Sequence, residues 1–126
     1  MKPLFFMGSS YKDLQRFPKD VRQEAGFALQ LAQMGGKAIH ALPLLGFGGA
    51  NVLEVVISED GNAYRTVYTV RFEEAVYLLH AFQKKSKSGK ATPRMDIDLI
   101  KRRLKAARDH YAAHLLEEKS RKDQSA

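Results

Sequence analysis

VLEVVISEDGNAYRTVYTVRF, residues 52–72, is the stretch whose reading decides the fold. It is rich in β-branched and aromatic residues, and its period is close to two, the mark of a pleated strand rather than a helix. Asp60-Gly61-Asn62 interrupts it with residues that tolerate a left-handed backbone, so the stretch folds back on itself as a hairpin. The spacing predicts strands over 52–58 and 64–72. A third strand, 76–84, follows the polar pair Glu73-Glu74, and together the three make an antiparallel meander.

Upstream, Leu4–Phe6 reads as a short strand. Ser9 and Ser10 before Asp13 resemble a helix start, and Tyr11, Leu14 and Phe17 follow at helical spacing. Pro18 breaks that helix and opens the next, in which Val21, Ala25, Ala28, Leu29 and Ala32 recur until Gly35-Gly36 stops it. The first third therefore reads as a strand followed by a helical hairpin. Residues 37–51 read as a loop. Their glycines lack the Gly-Lys-Ser/Thr of a phosphate-cradling loop.

Downstream, residues 84–94 (KKSKSGKATPR) hold five cations and no acid. Thr92-Pro93 opens a last helix with Ile97, Ile100, Leu104, Ala107, Tyr111 and Leu115 in one apolar stripe. Lys101, Arg102, Arg103, Lys105 and Arg108 crowd the rest of its surface, and 117–126 is expected to fray. The expectation is an α+β fold: an N-terminal helical hairpin packed on a small antiparallel sheet, with a C-terminal helix, all within one domain over 1–126.

A chain of 126 residues supports one modest core. It has no cysteine, which removes disulfides and thiolate metal sites and agrees with a reducing cytoplasm. No apolar run reaches the about 20 residues a membrane span needs, and the first residues do not make a signal-peptide core. The net charge is +7 and the pI about 9.7, which favours polyanionic partners.

Cutting RNA at a 2′-hydroxyl needs a base for the 2′ proton, cations for the charged phosphorane and an acid for the departing 5′ oxygen. The candidates lie between Tyr64 and Arg94. Arg65 offers a planar fork that can hold two phosphate oxygens. His80, or a lysine whose pKa is lowered by its neighbours, can move protons. Lys84 and Lys85 close the third strand, and Arg71, Lys87, Lys90, Arg94 and Arg102 extend the positive surface toward RNA or the ribosome. Each has a plainer reading. A charge run after a strand is commonly solvated surface, Arg65 can pair with Glu54 on the neighbouring strand, and His80, sharing a face with Leu78 and Phe82, can be a satisfied core histidine. His110 and His114 stand four apart with no third ligand in view, so no metal and no cofactor is expected.

Tyr64-Arg65-Thr66-Val67-Tyr68, Leu79-His80-Ala81-Phe82-Gln83-Lys84-Lys85-Ser86, Thr92-Pro93 and Asp96-Ile97-Asp98-Leu99-Ile100 through Arg103-Leu104 together resemble the phage-derived HigB-like branch of the RelE/ParE toxins, as do Leu42–Gly46 and Leu53-Glu54 upstream. The resemblance spans about 40–120. It implies a RelE-like fold and a toxin that cuts messenger RNA on the ribosome, held in check by a helix-turn-helix antitoxin. It carries catalytic roles to Arg65, Lys84 and Lys85, and places His80 at a position where the family often has a histidine. Val56 stands where many relatives have an arginine, so one phosphate-binding cation of the pattern is missing. The ParE side of the superfamily implies a different activity, inhibition of DNA gyrase without catalysis.

Overall fold

The computed structural model describes residues 1–49, 51–84 and 92–124. The chain forms β1 (Leu4–Phe6), α1 (Ser10–Gln15), α2 (Lys19–Gln33), β2 (Ala41–Pro43), β3 (Val52–Glu59), β4 (Asn62–Thr69), β5 (Val76–Lys84) and α3 (Arg94–Gln124). The class is α+β, and the meander is β3–β4–β5. Its first turn has both central residues left-handed, Asp60 at φ 51° and Gly61 at φ 79°. That two-residue loop twists with the strands it joins, which is why Asp-Gly suits it.

Three expectations change. First, the sheet has five strands in the order β1-β5-β4-β3-β2 and is mixed: β1 runs parallel to β5, and every other pairing is antiparallel. Ala41–Pro43, expected as loop, pairs with Leu53–Val55. Three residues carry too little pattern to announce a strand, and Pro43 is tolerated because β2 lies at an edge. Second, the N-terminal helices do not form a hairpin. A six-residue α1 is too short to present a face to α2; it lies against β5, while the longer α2 crosses β3, and each buries its apolar side chains in the sheet. Third, α3 stays helical to Gln124 instead of fraying from 117, with Arg121 reaching Glu118 (2.9 Å) and Glu117 (3.9 Å). Such exposed pairs contribute only tenths of a kcal/mol.

The sheet separates two cores. Under α1 and α2 lie Leu14, Val21, Leu29, Leu53, Val55, Tyr68 and Leu78. Under α3 lie Val52, Val67, Tyr77, Leu79, Ile100 and Ala107. Each fully buried Leu, Ile or Val contributes about 1.5–3 kcal/mol of transfer free energy. The two helical layers thus fix which face of β4 and β5 each side chain takes.

A bulge then changes that assignment within β5. Val67 lies opposite His80 and Tyr68 opposite Leu78, which leaves Leu79 as the extra residue. The expectation that His80 shares a face with Leu78 is therefore corrected: Leu78 enters the core under α1 and α2, while His80 turns to α3 and stacks on Phe82, ring centroids 4.5 Å apart.

Candidate functional site

Arg65 projects from the α3 face of β4, opposite Val56 on β3 and Phe82 on β5. It is 3% exposed, and its Nη1 donates to Glu54 Oε1 at 3.0 Å. Glu54 Oε2 accepts from the Thr92 hydroxyl at 2.6 Å, two residues before α3 begins. Arg65 and Glu54 thus tie the entry of α3 to the sheet, and the plainer of its two readings describes its contact. A buried pair of this kind is strongly destabilised when one partner is removed, because the other charge is left in a dry site. Val56 is 40% exposed, so the β3 position opposite Arg65 is an open flank of it.

His80 is held from both sides. One ring nitrogen, Nε2, lies 2.7 Å from Asp96 Oδ1 in the first turn of α3; the other, Nδ1, lies 3.5 Å from Arg103 Nη1. Arginine only donates, so the imidazole lone pair faces Arg103 and the proton is assigned to Nε2, toward Asp96. Burial lowers the histidine's pKa and outweighs the opposing pull of Asp96, with Arg103 adding to the lowering. The ring is therefore neutral near pH 7. Arg103 also donates to the Leu79 carbonyl (3.0 Å) and to Ser9 Oγ (3.1 Å), and Ser9 in turn donates to Asp13 (2.7 Å). Its guanidinium lies against Gly8, where an added Cβ would come within 2.7 Å of it; Gly8 also has φ +54°. The positive φ favours glycine there, and any side chain at that position would also make the Arg103 guanidinium shift. The result is a polar chain from α1 through α3 to β5.

Beside this chain a cleft of about 430 Å³ opens between the end of α1 and β5, with Asp13, Arg16, Tyr64, His80, Phe82 and Gln83 among its walls. It joins a cation, a histidine with a carboxylate behind it, and an aromatic wall. That set suits a phosphodiester with an adjacent base: Arg16 for charge, Phe82 and Tyr64 for stacking, His80 for proton movement.

The sequence candidates divide accordingly. Arg65, His80 and Lys84 lie on one face of β4 and β5 by strand alternation. Arg94 is exposed at the start of α3 near Asp96, and Arg102 is exposed further along the helix. Arg71 lies past the far end of β4, about 20 Å along the strand direction from Arg65, where its Nη2 donates to the Phe47 carbonyl at 3.2 Å. Lys85, Lys87 and Lys90 lie outside the described residues. His110 and His114 pack on Phe5, and His110 Nδ1 is 2.7 Å from the Tyr77 hydroxyl. Among the described residues no three His, Cys, Asp or Glu side chains gather as metal ligands, and no helix is long and apolar enough to cross a membrane.

Sequence reasoning missed Asp96, Arg103 and Arg16. A signal existed for the first two: Asp96, Ile100, Arg103 and Ala107 form one helical stripe, and Ile100 and Ala107 are fully buried. Charged residues inside a core stripe need partners. Arg16 carried no such signal, because its place in the cleft depends on how α1 meets β5.

Residues 12–105, most of the chain, match the family described as phage derived protein Gp49-like (DUF891). The chain belongs to this family. The match takes in every strand from β2 to β5, α2, most of α1 and the part of α3 that carries Asp96 and Arg103. Apart from Ser9, both polar clusters therefore lie within the Gp49-like segment, while β1 and the part of α3 beyond residue 105 lie outside it. No curated protein matches the chain.

Proposed function

We propose that this protein is the toxin of a toxin–antitoxin pair and that it halts translation by cutting messenger RNA on the ribosome. Gp49-like proteins are commonly toxin-like in such systems. The observation that carries the nuclease reading is the gathering of Arg65, His80, Phe82 and Lys84 on one sheet face beside a cleft open to solvent. His80 and Phe82 line that cleft, and Arg65 and Lys84 share their face of the sheet.

In this reading Lys84 and Lys85 provide the positive field for the phosphorane, and Arg65 supports it from the strand beside them. The 2′-hydroxyl oxygen attacks phosphorus, its proton passes to a base, and the 5′ oxygen leaves with a proton from an acid. His80, oriented by Asp96, takes one of these roles, with its Nδ1 released when Arg103 turns to the phosphate. The enzyme then works in the cytoplasm, where the ribosomes are. Its partner is a helix-turn-helix antitoxin that covers the cation cluster or blocks its approach to the ribosome.

Induction in a bacterial host, followed by pulse labelling of protein and DNA synthesis, tests the reading. Translation should stop first, and co-expressed antitoxin should restore it. Lys84→Ala, on the rim of the site, should remain folded and lose toxicity, since removing one charge-stabilising group costs about 100- to 1000-fold in rate. If DNA synthesis stops first while translation continues, gyrase inhibition replaces the nuclease.

A further inference from the structure

On the α3 side of the molecule, away from Arg65 and His80, a second groove of about 170 Å³ is walled by Arg71, Phe72, Lys101, Leu104, Lys105 and Arg108. Four of its six lining residues are cations and none is an acid. Lys101, Lys105 and Arg108 follow one another at i, i+4 and i+7, so they form a single stripe along α3 that faces Arg71 on the β4–β5 loop. Among the described residues none of the four takes part in an ion pair. Glu73 and Glu74 follow Arg71 on the same loop but do not line the groove. Phe47 helps to place two of the four cations: its carbonyl accepts from Arg71 Nη2 at 3.2 Å, and Lys101 Nζ stands 6.0 Å from its ring centroid.

Like charges gathered in one groove repel one another, and among the described residues no carboxylate lies within ion-pair distance of any of the four, Asp98 and Asp109 on α3 included. Such a cluster is stabilised by an external anion. Phe72 and Leu104 are the apolar part of its lining, and low-dielectric walls beside cations strengthen their attraction for a phosphate. We propose that this groove holds the phosphodiester backbone of structured RNA, as a docking site separate from the cutting site. It rests on the toxin reading only for the identity of the larger complex; the RNA contact itself stands on the four cations. A groove of charged side chains without paired donors and acceptors for base edges positions RNA and does not read its sequence.

The test uses the purified full chain and a short fluorescent RNA hairpin with 2′-O-methyl riboses. That probe cannot undergo 2′-hydroxyl attack, so binding is read apart from cleavage. The groove variant is Lys101→Ala with Lys105→Ala and Arg108→Ala, alanine being a good helix former. A variant with the same loss of charge elsewhere is Lys12→Ala with Lys19→Ala and Lys37→Ala, three lysines on the α1/α2 side. Thermal unfolding checks that both fold. Removing one cation that touches a phosphate should lower the slope of log affinity against log salt by about one, so the groove variant's slope should be shallower by about three. Between 50 and 200 mM salt, wild type should then weaken by a factor about 40-fold greater than the groove variant does. The α1/α2 variant should keep nearly the wild-type slope. Equal slopes for wild type and the groove variant overturn the proposal, and so do equal reductions in both variants, which would mean bulk charge alone. Polyglutamate is the second probe: if the groove variant loses affinity for it and keeps affinity for RNA, the surface docks an acidic protein and the proposal falls. A groove variant that loses RNA while the wild-type protein fails to halt translation would leave the groove standing and remove the nuclease reading.

Discussion

The two faces of the sheet are covered by helices in different ways. The α1/α2 face is filled almost entirely by apolar side chains, with the buried Ser10 hydroxyl donating to the Leu78 carbonyl. The α3 face places Arg65, Glu54, His80, Asp96 and Arg103 among its apolar residues and pairs them across four elements. The first face is specified by shape and volume. The second is specified by partners as well, so losing one group there strands another.

Arg65→Ala is the sharpest way to break this comparison. It leaves Glu54 partly buried without its guanidinium and should cost about 3–5 kcal/mol, read as a fall of more than about 10 °C in unfolding temperature. Adding Glu54→Gln should cost little more, because the stranded charge is then gone. A well-folded Arg65→Ala protein would show that the pair is dispensable and free the arginine for a purely catalytic role.

Leu29→Ala, on the other face, should cost about 2–5 kcal/mol through the cavity it leaves. Its effect should add to that of Arg65→Ala within about 0.5 kcal/mol, since the residues share no partner. Clear coupling in denaturant titrations of the single and double variants would show that the two faces are not independent.

The third expectation concerns pH. His80 has its pKa lowered by burial from the ordinary value of 6.5, so between the folded pKa and 6.5 the unfolded chain binds more protons than the folded one. This contribution to stability is fully present above pH 6.5 and is lost as pH falls toward the folded pKa, by at most about 1.4 kcal/mol per pH unit. His80→Gln should flatten that part of the stability profile, measured by denaturant midpoints across a pH series. An unchanged profile would assign the acid sensitivity to other groups.

The smallest effect belongs to the end of α3. Deleting residues 117–126 should remove helical signal in circular dichroism, yet alter stability by less than about 0.5 kcal/mol, because its pairs are exposed. A larger loss would mean that the last turns pack on something the two cores do not include.

The sequence by itself determined the meander, the Asp60-Gly61 turn, α2 and α3, because period, turn chemistry and helix stops are local properties carried by a dozen residues or fewer. It also marked Arg65 as a charge in a strand that must be paired or used, and Glu54 as the available partner. Tertiary structure alone decided the parallel pairing of β1, the short β2, and the separation of α1 from α2, since each depends on chain segments distant in sequence. It also decided the site. The bulge at Leu79 turns His80 to α3, and only then do Asp96 and Arg103 become its neighbours. A single extra residue in one strand leaves no mark on periodicity that exceeds its ordinary irregularity, yet it reverses the face of every side chain beyond it.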